Sequence, residues 1–468
     1  MKTRTALNIS INILILILNL SLLFGHPPLA WANSLTPQKE REIGQHFHLK
    51  VAASGAIVDD PILTKTFKGI TDRVLKGANL NPDQYNFYIL NSDGINAFAV
   101  PGGYIYVHTE TINSLENEGQ LASVLSHETA HLTSRHFARR AESASSTTIA
   151  SIASMLAGIL IATQGGSTGA LGQAMMMGGA GAGAQSMLAN SREDESEADA
   201  KGRQYLTRAG YAARDMYGAF KVMSSKTYQA SRNIPTYLTT HPALTSRMAT
   251  FFSEAEKTAT APPDPAYQAF KDRVLAVSGE VSRVQNIFTK RLVGQRDPSA
   301  LHGLGILAQR QQKLTLANKL MREALSLTPN NQEYLADLGD LALLRHQPAE
   351  ARDFYQKAGS NRLAIFGLAR ASELLGDHTH AAILYEQAVN ITPYDFPRAL
   401  EMAGRFFGQN GRPGQGHYYL GRYFAATGNI DKAIFHYQQA AADPGSGQFK
   451  TLAAHEEKTL TNLKNNKD

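Results

Sequence analysis

The 468-residue sequence contains no cysteine. That excludes disulfide staples and a lipid anchor on cysteine, so the core must be large enough to hold by packing alone. A basic run is also missing. The formal net charge of +6 is spread along the chain and falls to +4 once Lys2 and Arg4 leave with the leader described below. Nothing in that balance favours nucleic acid, and at most it gives a mild attraction to an anionic membrane surface. A long unbroken apolar run is likewise absent. The stretch from Lys2 and Arg4 to Phe24 is interrupted by Asn8, Asn12 and Asn19 and ends in "PPLAWANS". It is short for a span and reads as a secretory signal over 1–32, cleaved after Ala32, with an uncleaved anchor as the rival reading.

What remains is a globular composition, 43% hydrophobic and 18% charged, with length for two or three domains. The expected division is a first domain over 33–262, a linker helix over 263–297 entered through "TATAPPDPAYQAF" with a boundary near Pro262, and a helical domain over 298–468.

The stretch "GQLASVLSHETAHLTSRH" carries the chemistry. Leu121, Val124, Leu125 and Leu132 repeat at helical spacing, which puts His127 and His131 on one face with Glu128 beside them. Two imidazoles at i and i+4 can share one metal ion, but a third ligand must come from elsewhere. "SREDESEADAKG" offers one: Ser191 can cap a helix that places Glu195 and Asp199 on one face, although a charged helix start is also what solvent and the helix dipole favour. His136, near the end of the histidine helix, reads as a structural partner. Upstream, Tyr85 to Leu90, Ala97 to Val100 and Tyr104 to Val107 are β-rich runs broken by Asp93-Gly94 and Pro101-Gly102-Gly103, the pattern of a small meander. Such a sheet could add a bound peptide as a strand or only pack on the helix.

Residues 143–191 carry no charge inside Ser143 and Ser191. The segment reads as an apolar flap beside the site with peripheral membrane contact, or as a membrane hairpin, although its apolar part from Thr147 to Thr163 is shorter than the ~20 residues of a span. Met175 to Met177 suit an adaptable contact surface.

The last third repeats. Ala317, Met321, Ala324 and Pro329 are echoed by Ala351, Tyr355 and Ala358, by Ala381, Tyr385, Ala388 and Pro393, and by Ala433, Tyr437 and Ala440. Small residues at a spacing near 34, with Gly305, Gly339 and Gly421 in the preceding helices, are the signature of a tetratricopeptide (TPR) α-solenoid. The wider interval between Ala381 and Ala433 is expected to hide a degenerate helix pair around Phe396 to Gly411.

"NAFAVPGGYIYV", "SHETAHLTSRH", "SREDESEADAKG" and "LTTHPALTSRM" occur in the order and spacing of the HtpX and CAAX-prenyl-protease superfamily of zinc metallopeptidases. The chain most resembles its exported branch with a C-terminal TPR domain, the BepA type. The resemblance implies a mainly α fold, a zincin-type domain with a small β-sheet followed by the solenoid. It implies one Zn2+ per chain on His127, His131 and Glu195, with Glu128 as general base and Asp199 behind the ligands. It also implies that His241, on the loop before Pro242, can act as a regulatory fourth ligand. Arg192 and Arg247 are the candidates for stabilising an oxyanion. The implied role is periplasmic: unfolded or misassembled envelope proteins are the substrates, and the TPR domain contacts the outer-membrane assembly machinery, with help to assembly as well as degradation. The cysteine pairs associated with that branch are missing, so redox control is not implied. Two other readings stay open: a TPR scaffold or chaperone with a largely silent metal centre, and a membrane-embedded peptidase using the charge-free segment as a hairpin.

Overall fold

A computed structural model describes residues 35–143, 191–229, 237, 241–242, 244–257, 264–390 and 396–465. The expected signal peptide with its cleavage site, residues 144–190 of the charge-free segment and the boundary at Pro262 lie outside the described residues.

The first half is built on helices α1 (Pro37–Ala53) and α2 (Pro61–Gly77), three strands, and helices α3 (Thr109–Ser114), α4 (Glu118–Thr133), α5 (His136–Ser143), α6 (Arg192–Arg208), α7 (Arg214–Gln229) and α8 (Leu244–Lys257). Local chemistry sets several starts. Thr36, Asp60, Asn117 and Ser191 each accept a backbone N–H of the turn they cap, and proline fills the first helical position of α1 and α2. The strands β1 (Asn86–Leu90), β2 (Ala97–Val100) and β3 (Tyr104–His108) fall where the β-rich runs are, but they do not form a meander. Their order is β1-β3-β2: β2 and β3 pair antiparallel across Gly102 and Gly103, both at positive φ, while β1 lies parallel to β3 on its other side. Alternation in sequence gives the strands but not which neighbour each one takes. One face of the sheet packs with Phe67, Ile70, Val74, Leu121 and Leu125 from α2 and α4. The other face holds Phe47, Val51, Phe98 and Tyr106 against α1.

The stretch expected as a single linker helix is two helices, α9 (Pro265–Ser278) and α10 (Val281–Arg291), and they are core elements. Tyr267, Phe270 and Val274 belong to the buried cluster of the first half; Leu275, Ala276, Val284 and Phe288 belong to that of the second. A helix with two apolar faces joins two cores.

The second half runs α11 (Pro298–Arg310), α12 (Leu314–Leu327), α13 (Gln332–Leu344), α14 (Pro348–Ala358), α15 (Arg362–Leu374), α16 (His378–Asn390), α17 (Pro397–Gln409), α18 (Pro413–Ala426), α19 (Ile430–Ala442) and α20 (Gln448–Asn465). The repeated alanines are buried where paired helices cross. The glycines are needed there: a Cβ on Gly305, Gly339 or Gly421 would stand 2.5–2.6 Å from Met321, Tyr355 or Tyr437. The long interval hides one extra helix within 396–411, α17, and not a pair. Helix α18 then serves twice, meeting α17 at Gly404 and Gly416 and α19 at Gly421. Among the described residues no helix is long and apolar enough to cross a membrane.

Candidate metal centre

Helix α4 threads the core of the first half, so His127, Glu128 and His131 are buried. Ser191 starts α6 by accepting the Asp194 N–H at 2.9 Å, and the helix then carries Glu195 and Asp199 inward on one face. Gly202 on α6 lets the two helices meet: a Cβ there would stand 3.1 Å from His127 Cα. His241 enters just before α8, 3% exposed.

Four donor atoms converge, from His127, His131, Glu195 and His241. His127 Nε2 lies 3.0 Å from His131 Nε2, 3.5 Å from Glu195 Oε2 and 3.4 Å from His241 Nδ1. Glu195 Oε1 is 3.4 Å from His131 Nε2 and 3.0 Å from His241 Nδ1. A tetrahedral ion with bonds of about 2.0–2.1 Å holds its donors about 3.3 Å apart, so the spacing suits one small ion. Charge agrees. Three buried carboxylates, Glu128, Glu195 and Asp199, face one buried guanidinium, Arg247. With neutral imidazoles, the ionised set keeps two negative charges that a divalent cation would cancel. The same field acts on His127: burial pulls its pKa down, but Asp199 and Glu195 outweigh this and lift it to about 9. Burial opposes ionisation of Glu195, yet the three histidines hold it well below the usual carboxylate range.

Further groups fix the donors. His127 Nδ1 stands 3.1 Å from Asp199 Oδ1, which keeps the ring proton on Nδ1 and turns the Nε2 lone pair to the centre. Arg247 grips Asp199 with Nε and one terminal nitrogen, each at 2.7 Å, and its other terminal nitrogen contacts Glu195. His131 Nδ1 lies 2.7 Å from His136 Nδ1, and His136 Nε2 lies 3.2 Å from Glu197 Oε2. With the His131 lone pair on Nε2, its Nδ1–H donates to His136, and the His136 proton sits on Nε2 facing Glu197. His136 is thus the partner that orients His131. Glu197, held by Lys201, Arg139 and Ser134, was not singled out from the sequence, where it is one acid among several in a charged helix start.

Glu128 does not join the four. Burial pushes its carboxyl up, against the pull of His241 and His127, and its Oε1 lies 3.4 Å from His241 Nε2. Of the oxyanion candidates, Arg192 is exposed at the start of α6 and the Arg247 guanidinium is committed to Asp199 and Glu195. Tyr237, which the sequence did not flag, is 1% exposed and stacks on His241 with centroids 4.4 Å apart.

A buried HExxH helix, a carboxylate from a second helix and a third histidine form a donor set of the zinc-peptidase kind. The profile of peptidase family M48 matches residues 61–255, and the tetratricopeptide repeat profile matches 302–362 and 394–448. Residues 61–255 are thus similar to an M48 peptidase domain, and the last third is similar to TPR repeats. It is 28% identical over 329 residues to the beta-barrel assembly-enhancing protease of Escherichia coli (strain K12), covering 68% of this chain and 66% of that protein. The chain thus spans just under two thirds of that relative's length. It is also 30% identical over 157 residues to the mitochondrial metalloendopeptidase OMA1 of Saccharomyces cerevisiae, 33% of this chain and 41% of that protein. A tetratricopeptide repeat protein from Parabacteroides merdae aligns over 52% of this chain and 98% of its own at 15% identity, with a TM-score of only 0.29.

Proposed function

We propose that the protein is an exported zinc endopeptidase of envelope-protein quality control. It degrades misassembled outer-membrane proteins and assists their assembly, and its TPR half holds clients or assembly partners. The observation that supports the chemistry is the four-donor cluster with a fifth group, Glu128, beside it and outside it. The printed name of the E. coli relative supports the substrate class.

His127, His131 and Glu195 are the residues to hold one zinc per chain. When bound, zinc supplies a Lewis acid that polarises a carbonyl and makes water a usable nucleophile near neutral pH. The chain's own residues do the rest. Glu128, its pKa raised by burial, takes the proton of the attacking water and passes it to the leaving amine. Asp199 and His136 hold the two ligand histidines in the working tautomer. Strand β2, an edge strand packed beside α4, offers its open side to an extended peptide. The side-chain amide of Asn96 at its head is buried and has no hydrogen-bond partner among the described residues.

His241 is the latch of this reading. One of its nitrogens is among the donors and the other lies 3.4 Å from Glu128 Oε1, which supports an imidazole that covers the fourth position beside the base. The resting enzyme is then held off until a client draws His241 away. At equal zinc content, His241→Ala is expected to raise basal proteolysis and self-cleavage. Unchanged or lower turnover on an unfolded substrate would count against the latch.

The test of the whole reading is Glu128→Gln in the full chain. It should retain zinc and fold, lose peptide cleavage by at least ~100-fold, and capture envelope substrates from an extract. If cells carrying this variant in place of the native protein show no envelope defect, binding and not hydrolysis is the main activity.

A further inference from the structure

The His241 latch comes with a second aromatic ring. The His241 N–H donates to the Tyr237 carbonyl at 2.8 Å, which ties the two residues together. Their rings stack at 4.4 Å with only 26° between planes. Displacing His241 from the donors therefore takes Tyr237 with it. Tyr237 shares a buried apolar cluster with Phe220, Leu244 and Phe251. The Phe220 ring lies 6.3 Å from that of His127, and the Arg247 guanidinium covers Phe220 at 4.8 Å. The Tyr237 hydroxyl is within electrostatic reach of Glu128, Arg247, Glu195 and Asp199.

We infer that Tyr237 occupies the specificity pocket of the peptidase as a built-in substitute for a substrate side chain, and that the enzyme cleaves beside aromatic residues. This rests on the proposed latch. The argument is one of volume and distance. A scissile carbonyl reacting at the donor cluster is one bond of about 1.5 Å from a Cα, so the flanking side chain begins beside the reacting atoms. The nearest space that opens as the latch leaves is the ring-sized volume of Tyr237. Its wall is apolar and aromatic at Phe220 and Phe251, which favours a flat ring by stacking and burial.

The experiment maps cleavage sites by mass spectrometry in a denatured protein of known sequence, using the full-length, zinc-loaded chain and His241→Ala. Cleavage next to Tyr, Phe or Trp is expected to be enriched about tenfold in both enzymes. Faster cleavage by His241→Ala with no aromatic preference overturns the pocket and leaves the latch standing. Aromatic preference without faster cleavage removes the latch, and with it the assignment of Tyr237 to the pocket. Tyr237→Ala and the better-filling Tyr237→Leu complete the test on a short tyrosine-containing peptide. Relieved of an internal competitor, both should lower KM severalfold with kcat retained. A fall in kcat with unchanged KM in both variants would make Tyr237 a core anchor and nothing more.

Discussion

Two clusters of charge buried among the described residues differ in whether the charges close. Between the halves, Arg273 on α9 donates to Asp60 at 2.9–3.1 Å and to Asp337 at 2.5 and 3.0 Å, and His302 Nε2 lies 2.9 Å from Asp337. Asp60 also caps α2 through the Ile62 and Leu63 N–H groups. Two carboxylates there meet one guanidinium, an imidazole and backbone donors, and the set needs nothing further. At the metal centre three carboxylates meet one guanidinium. There Glu128 Oε1 lacks a good hydrogen bond, and imidazole lone pairs converge. Equal burial therefore means opposite things. A closed cluster fixes the α9 junction, and an open one asks for an ion.

Breaking the open cluster should have the largest effect. Native protein is expected to hold about one zinc per chain and Glu195→Gln to lose most of it, because the change removes the one anionic donor. Undiminished zinc by elemental analysis would take Glu195 out of the site. Breaking the closed cluster comes next. Arg273→Met leaves two buried carboxylates facing each other and should cost about 3–5 kcal/mol in denaturant unfolding. The same cluster predicts a pH dependence. Burial opposes ionisation of Asp337, but Arg273 and His302 more than offset it and hold its carboxyl well below the usual carboxylate range. A depressed carboxylate contributes stability that is present above its unfolded pKa and lost as pH falls through the folded one. The thermal midpoint should therefore drop as pH falls below about 4, less steeply in Asp337→Asn.

Smaller effects sharpen the contrast. His136→Phe keeps the ring but removes the partner of His131 Nδ1, and zinc affinity in a chelator competition should fall ~10–100-fold. An unchanged affinity would leave His136 a packing residue. Gly339→Ala, two residues along α13 from Asp337, forces a methyl to within 2.6 Å of Tyr355 and should cost about 1–3 kcal/mol, with zinc content unaffected.

Much of this was legible in the chain. Period-3.6 patterning placed α4, the Ser191 cap placed α6, and the alanine and glycine spacing placed the solenoid, because each signal is local. The HExxH pair and Glu195 and Asp199 could be set on helix faces for the same reason. Three readings missed their mark where non-local pairing decides. The expected meander is a mixed sheet, the expected linker helix is two core helices, and the long TPR interval holds one extra helix and not an extra pair.

The sequence by itself determined which residue types were available and on which faces: two imidazoles one turn apart, two carboxylates one turn apart, and a histidine beside a proline. Only the tertiary structure decided that these faces meet. That required Gly202 to let α6 lie against α4, Arg247 to bridge Glu195 and Asp199 from a third helix, and His136 to turn back on His131. It also brought Tyr237 onto His241. Donor spacing near 3.3 Å is a property of several chain segments at once, and periodicity within one segment carries no information about distance to another.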